Sequence, residues 1–448
     1  MFKKDFIWGA GAAAFQVEGA IKERGRTVWD MFCGREGMVR FGDTTDVTCD
    51  HYHLYKEDVA LMKELGLMSY RMSICWSRIL PAGTGAISRE GVAFYNALFD
   101  ELLANGIKPL ANLFTWDLPY ELHKKGGWLN PDSPKWFAEY TKACMDAFSD
   151  RVDFWETHNE TQSFVESGYW FGEHAPGMKY SEEDFLQICH NVHLGHGYSL
   201  RAIRENAKLK PTAGQTIVSN IFIPEDRNNP EHIAAAYSKM FDYTDQYLQT
   251  NALWIDPLFF GCYHDQLMDK FKKYDIPVSK EDMELISQPL DFLGANIYRG
   301  EVVNETGVKP LNYTGGDLGY AKTAFGWSVA PEVIYWTPKW FHERYKVPIY
   351  ITENGMSGLD WVALDGKVHD PQRIDFTQRF LRELGRAIDD GADVRGYYSW
   401  CLMDNFECAA GNSERFGLIY VDFDSQKRII KDSGHWYRTV IESNGANL

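Results

Sequence analysis

The sequence predicts an α/β protein: a closed (β/α)8 barrel of the TIM type, forming one domain over residues 1–448 with long βα loops. Two observations lead there. Eight short, β-rich apolar runs alternate with longer stretches whose apolar residues recur every three or four positions, and eight β/α units close a parallel barrel. The runner-up architecture is an open doubly wound sheet, but no glycine-rich nucleotide turn follows an early strand.

The strands are expected near 6–14, 67–74, 108–113, 153–159, 212–218, 291–297, 348–352 and 396–401. Between them, YKEDVALMKELG (55–66), AFYNALFDELLANG (93–106) and FTQRFLRELGRAIDDG (376–391) have helical periodicity and end on glycine, the residue that best tolerates the left-handed turn closing a helix. PEDRNNPEH (224–232) and NETGVKPLNYTGGDLGY (304–320) read as long loops.

Composition narrows the function classes. The chain has 45% hydrophobic and 24% charged residues, which is globular and ample for a core. Its 46 basic and 63 acidic residues leave a net charge of -17, which disfavours nucleic acid and anionic membrane surfaces as partners. No stretch approaches the ~18 apolar residues of a spanning helix, and the opening MFKKDFIWGAGAAAF is too short and interrupted for a signal peptide. The eight cysteines are scattered without a CxxC pair and read as free thiols of a cytoplasmic protein. Three N-x-T sequons, at Asn159, Asn304 and Asn312, read as chance. His190, His193 and His196 fall at three-residue steps, which drift around a helix face and lack a carboxylate partner. They read as packing residues and not as metal ligands.

The chemistry lies in DFWETHNET (153–161) and VPIYITENG (347–355). Each is a strand-like run that ends on a glutamate, Glu160 on the fourth strand and Glu353 on the seventh. In a barrel of this kind the strand C-termini carry the active site. Two carboxylates facing one another suit glycosidic bond cleavage, one protonated to assist the leaving oxygen and one ionised to meet the sugar's positive charge. A separation of about 5–5.5 Å means retention and about 6.5–9.5 Å means inversion, a distance sequence does not give.

FIWGAGAAAFQVEGA (6–20), YRMSICWSRILP (70–81), TWDLP (115–119), WETHNE (155–160), NIY (296–298), ITENG (351–355), SWCLMDNFE (399–407) and RFGLIYVDF (415–423) together resemble glycoside hydrolase family 1, the β-glucosidase-like retaining enzymes. The likeness runs from residue 6 to about 437 in the family's order and spacing. It implies a single barrel, a small β-glycoside or oligosaccharide as substrate, and no cofactor or metal; a homo-oligomer stays open. Carried over by position, Glu353 resembles the nucleophile, Glu160 the acid/base and Asn159 the residue binding the sugar 2-hydroxyl. Arg71 and Tyr298 resemble the groups that orient the nucleophile. Gln16 and Glu407 resemble clamps on the outer hydroxyls and Trp400 the platform beneath the ring. Trp116, Phe416 and Asn296 resemble other parts of the wall, and Trp327 a residue on the leaving-group side.

Three positions depart from the family pattern. Thr115 stands where the family has His, Cys408 where it has Trp, and Thr161 where it has Pro. The first two replace long donors to the sugar 3-hydroxyl, contacts worth roughly 1–3 kcal/mol each. The expectation is a retaining β-glycosidase whose glycone pocket is altered near the 3-position. A catalytically weak sugar-binding barrel and a transglycosylase are the alternatives.

Overall fold

The structure, a computed structural model, describes residues 2–243, 250–309 and 321–448. Eight strands form a closed barrel: β1 (Ile7–Ala12), β2 (Ser69–Ser73), β3 (Lys108–Asn112), β4 (Phe154–Asn159), β5 (Thr212–Val218), β6 (Phe292–Asn296), β7 (Ile349–Asn354) and β8 (Val394–Trp400). Neighbours pair in parallel around the ring, and β1 closes it by pairing with both β2 and β8, Gly9 opposite Ser69 and Ile7 opposite Gly396.

The expected strands fall in place with small corrections at their ends. β1 stops at Ala12, because Ala14–Val17 turns into a short helix. β7 extends past the expected 352, so Glu353 and Asn354 are part of the strand, and β8 begins two residues early at Val394.

The helices that cover the barrel include α1 (His51–Glu64), α2 (Arg89–Ala104), α3 (Ser133–Phe148), α4 (Thr161–Val165), α5 (Glu182–Asn206), α6 (Val333–Tyr345), α7 (Pro371–Asp389) and α8 (Asp432–Glu442). α2 shows why such segments are helical. Ser88 caps its start by accepting from the Gly91 N–H, and Phe94, Tyr95, Leu98, Phe99 and Leu102 form one buried stripe. Gly106 ends it at φ +76, a conformation that costs a side chain but not glycine.

Two segments read as loops carry regular structure among their described residues. Pro224 closes the strand Phe222–Pro224, and Pro230 opens the helix Pro230–Phe241. Glu301–Asn304 and Gly307–Lys309 pair as a hairpin beside Phe222–Pro224, so the second segment starts in strand. The proline and asparagine content marked the turn at 225–228 but hid the flanking elements. Asn159 and Asn304 of the sequons are buried; Asn312 lies outside the described residues.

The barrel interior divides by polarity. At the N-terminal end of the strands Leu110, Phe154, Phe292 and Tyr398 pack as an apolar plug with Ile7 and Tyr350. Further along, the inward positions become Arg71, Asn112, Glu156, Thr216 and Thr352. Outside the barrel a buried ionic clasp joins the chain following β7 and β8. Lys431 bonds Asp360 at 2.6 Å and Asp404 at 2.7 Å, Arg415 bonds Asp404 at 2.7 Å, and Arg373 bonds Asp360 at 2.7 Å.

All eight cysteines are free thiols. Among the described residues no helix is long and apolar enough to cross a membrane. His193 and His196 are buried on α5, His196 against the Thr157 hydroxyl at 2.8 Å and His193 against the Tyr263 hydroxyl at 3.0 Å. His190 bonds the same tyrosine at 3.0 Å.

Candidate active site

A cavity of about 1050 Å³ opens at the C-terminal ends of the strands. Both glutamates line it. Glu160 follows the last residue of β4 and takes a left-handed backbone, φ +50 and ψ +63, as the residue before α4. A non-glycine residue in this region is strained, and such strain recurs where a side chain must be aimed. Trp116 (φ +61) and Cys408 (φ +52), on the same cavity, share this conformation.

One hydrogen-bonded chain links the two carboxylates. Asn296 Nδ2 donates to Glu160 Oε1 at 2.7 Å and to Asn159 Oδ1 at 3.1 Å. Arg71 Nη2 donates to the same Asn159 oxygen at 2.6 Å, and Arg71 Nη1 to Glu353 Oε1 at 2.7 Å. Tyr298 donates its phenol to Glu353 Oε2 at 2.6 Å. Thr352 donates to Asn296 Oδ1 at 2.7 Å, which fixes the direction of the Asn296 amide. Because the Asn159 oxygen is taken, its amide hydrogens are what it offers to the cavity.

The two glutamates sit in different electrostatic surroundings. Burial and then the Glu353 charge push Glu160 up to about 7, against the Asn296 and Ser163 hydrogen bonds. Burial also raises Glu353, but Arg71 and the Tyr298 phenol favour its anion directly. The site therefore holds one carboxyl ready to carry a proton and one paired with a cation.

The remaining predicted residues meet on the same cavity. Gln16 Nε2 donates to the Phe406 carbonyl at 2.9 Å and lies 3.3 Å from Glu407 Oε2, leaving the Gln16 carbonyl for a ligand. Glu407 is pushed up to about 8 by burial and by Glu353, and Trp400 bonds it. Trp116 Nε1 donates to the Asn159 carbonyl at 3.0 Å. Trp327 lies 5.2 Å from the Tyr298 ring and 6.0 Å from Phe416. Thr115 and Cys408 complete the lining, and Arg71 sits beneath it, 3% exposed. The Thr115 hydroxyl donates to Asn112 Oδ1 at 2.9 Å, so its hydrogen is committed.

Sequence reasoning passed over Glu156. It accepts from Arg71 Nε at 2.9 Å, from Asn112 at 3.1 Å and from Thr216 at 2.6 Å, and so anchors the arginine that holds Glu353. The signal was the period-2 alternation of β4, which turns Glu156 inward beside Arg71 of β2. Asn112, Thr216 and Thr352 were missed because small polar residues in a strand look ordinary until the strands are set side by side.

The family model described as "Glycosyl hydrolase family 1" matches residues 1–446. A "1,4-beta-D-glucan glucohydrolase" of Thermotoga neapolitana is 40% identical over 99% of both chains. "Beta-glucosidase A" of Thermotoga maritima is 38% identical, covering 99% of this chain and 98% of its own. The solved structure "Beta-glucosidase from Thermotoga maritima in complex with glucoimidazole" superposes with a TM-score of 0.89, at 38% identity and 99% of each chain.

Proposed function

Because the chain belongs to glycosyl hydrolase family 1, and so is a β-glucosidase-like retaining O-glycosyl hydrolase, we propose that Glu353 is its nucleophile and Glu160 its acid/base. The observation that carries this is the single chain of bonds from Glu160 through Asn296, Asn159 and Arg71 to Glu353, all but Arg71 facing one cavity. A Glu353 oxygen attacks the anomeric carbon of a small β-glycoside or oligosaccharide while the Glu160 proton passes to the departing oxygen. The product is a glycosyl ester on Glu353 and a free alcohol. Water then gives a proton to Glu160 and attacks the same carbon, which returns the sugar with its configuration retained and restores both carboxyls.

Asn159 donates to the 2-hydroxyl, where contacts tighten in the transition state. Gln16 and Glu407 hold the outer hydroxyls, and Trp400 lies under the ring. A 2-fluoro glycosyl probe tests the assignment: peptide mass spectrometry is expected to find the label on Glu353. Tight sugar binding with no label and no turnover would instead make the chain a sugar-binding barrel.

The glycone pocket is altered beside the sugar's third carbon. Thr115 spends its hydroxyl hydrogen on Asn112, and the Cys408 thiol is a weak donor, so this side accepts hydrogen bonds or takes a larger group but donates poorly. A panel of aryl β-glycosides tests this. Sugars epimeric or substituted at carbon 3 are expected to rival the plain glucoside, and a wide margin for the glucoside overturns the altered pocket.

A further inference from the structure

We infer that Glu156 is a positioning residue that gives Arg71 a second counter-charge, so that Glu353 can lose its own charge to a glycosyl ester without leaving a buried cation unpaired. This role rests on the hydrolytic reading above and goes beyond holding the arginine in place: it gives Glu156 a part in the balance between the two half-reactions.

Arg71 divides its guanidinium between two carboxylates. Nε donates to Glu156 Oε2 at 2.9 Å and Nη1 to Glu353 Oε1 at 2.7 Å, and among the described residues these are its ion-pair partners. Nη2 goes to Asn159 at 2.6 Å. Glu156 is fully buried, and every hydrogen bond it makes is one it accepts: Asn112 Nδ2 reaches the same oxygen as Arg71 at 3.1 Å, and the Thr216 hydroxyl reaches the other at 2.6 Å. The Phe114 N–H donates to Asn112 Oδ1 at 2.9 Å, which turns the Asn112 amide nitrogen toward Glu156. Three donors around one carboxyl suit its ionised form. Two anions therefore stand on one cation. Neither Glu156 nor Arg71 lines the cavity, so Glu156 acts on the chemistry only through Arg71 and Glu353.

In the first half-reaction a Glu353 oxygen bonds the anomeric carbon, the bond to the leaving oxygen breaks with its electron pair, and that oxygen takes the Glu160 proton. Glu353 passes from anion to neutral ester. The new negative charge sits on Glu160, which bonds Asn296 and not Arg71. With Glu353 as its one carboxylate, Arg71 would now be an uncompensated buried cation, a strongly penalised state. Glu156 keeps it paired. The same charge disfavours the Glu353 anion before reaction: burial is the first influence lifting Glu353, Arg71 and Tyr298 oppose it, and Glu156 adds to the lift. Glu160 and Glu407 also face Glu353 across the cavity, and the Tyr398 phenol of β8 faces Glu156. Both effects favour the ester over the free anion. Glu156 therefore speeds formation of the ester and slows its hydrolysis.

Glu156→Gln removes the charge and keeps the length. On the 2,4-dinitrophenyl β-glycoside that the wild-type chain turns over best, kcat/KM, which reports ester formation, is expected to fall about tenfold, while a kcat limited by ester hydrolysis holds or rises. The acid limb of kcat/KM, set by Glu353, is expected to move down by about 0.5 pH unit or more, because the anion forms more easily without a second negative charge nearby. A merely structural role would loosen Arg71 and do the reverse. A kcat that falls in step with kcat/KM, a limb that moves up, or no change in either overturns the inference. No turnover of any such glycoside by the wild-type chain would overturn the hydrolytic reading alone. The counter-charge is then read from melting temperatures, since Glu353→Gln removes the nucleophile's charge without chemistry. Combined with Glu156→Gln, it is expected to lower the melting temperature by several degrees more than the two single changes together, and an additive loss overturns the inference. If Glu156→Gln does not fold, Glu156→Met takes its place in both measurements under the same criteria.

Discussion

Glu160 and Glu353 share a cavity but not an environment, and the difference sets the pH behaviour. As the proposed acid, Glu160 must be protonated to assist departure, and burial beside Glu353 lifts it to about 7. The kcat/KM of the free enzyme is therefore expected to fall as pH rises through about 7, as the proton is lost. Thr161, whose hydroxyl is buried and has no partner among the described residues, is not among the strongest influences on Glu160. Thr161→Pro is accordingly expected to leave that limb in place. Glu160→Gln is expected to lower kcat by about 10²–10⁴ on glycosides whose leaving alcohol needs a proton, measured against an unchanged fold by circular dichroism. At this scale the sequence was legible where a residue sits inside a long motif, as Glu160 does in WETHNE. Glu156, four positions earlier in the same motif, was not, because its role is to hold Arg71, which comes from a different strand.

Strand ends and helix faces are the next level. Gly355 follows β7, and a Cβ there would lie 1.8 Å from the Trp400 carbonyl oxygen at the end of β8. Both are backbone-fixed, so Gly355→Ala is expected to displace the Glu353 end of β7. A loss of activity with a melting temperature lowered by several degrees would show it, and a wild-type rate would contradict it. α5 carries His193 and His196, which burial pushes down to about 3. Unfolded histidine takes a proton near pH 6.5, while these stay neutral in the folded chain down to about 3. The unfolded state thus binds more protons throughout that window, and stability is lost as pH falls, by up to ~1.4 kcal/mol per unit for each histidine. Urea midpoints at pH 7 and pH 5 check this, and His196→Gln is expected to flatten the slope. The helices and strands were legible from their apolar periods. The short strands Phe222–Pro224 and Glu301–Asn304 were not, because they pair with each other across the sequence and carry turn-rich neighbours.

For the molecule as a whole, the buried clasp of Lys431, Asp360, Asp404, Arg415 and Arg373 ties the segments after β7 and β8 to the start of α8. Asp404 is fully buried between two cations. Removing it leaves Arg415 without its carboxylate and Lys431 with Asp360 alone, so Asp404→Ala is expected to cost about 3–5 kcal/mol of stability, read by chemical denaturation, while a change below ~1 kcal/mol would deny the clasp that weight. The clasp itself was invisible in the sequence, since its charges are spread over residues 360–431 with no local pattern. The closed ring of strands has a temporal consequence. As the polypeptide leaves the ribosome, β1 emerges first, yet one of its two edges waits for residues 394–400 before it finds a neighbour. Until then the growing chain exposes a raw flank, and the bonds joining Arg71 to Glu353 have no frame to hold them. Hydrolytic competence therefore waits for β8, and turnover by a newly made molecule certifies that its ring has shut.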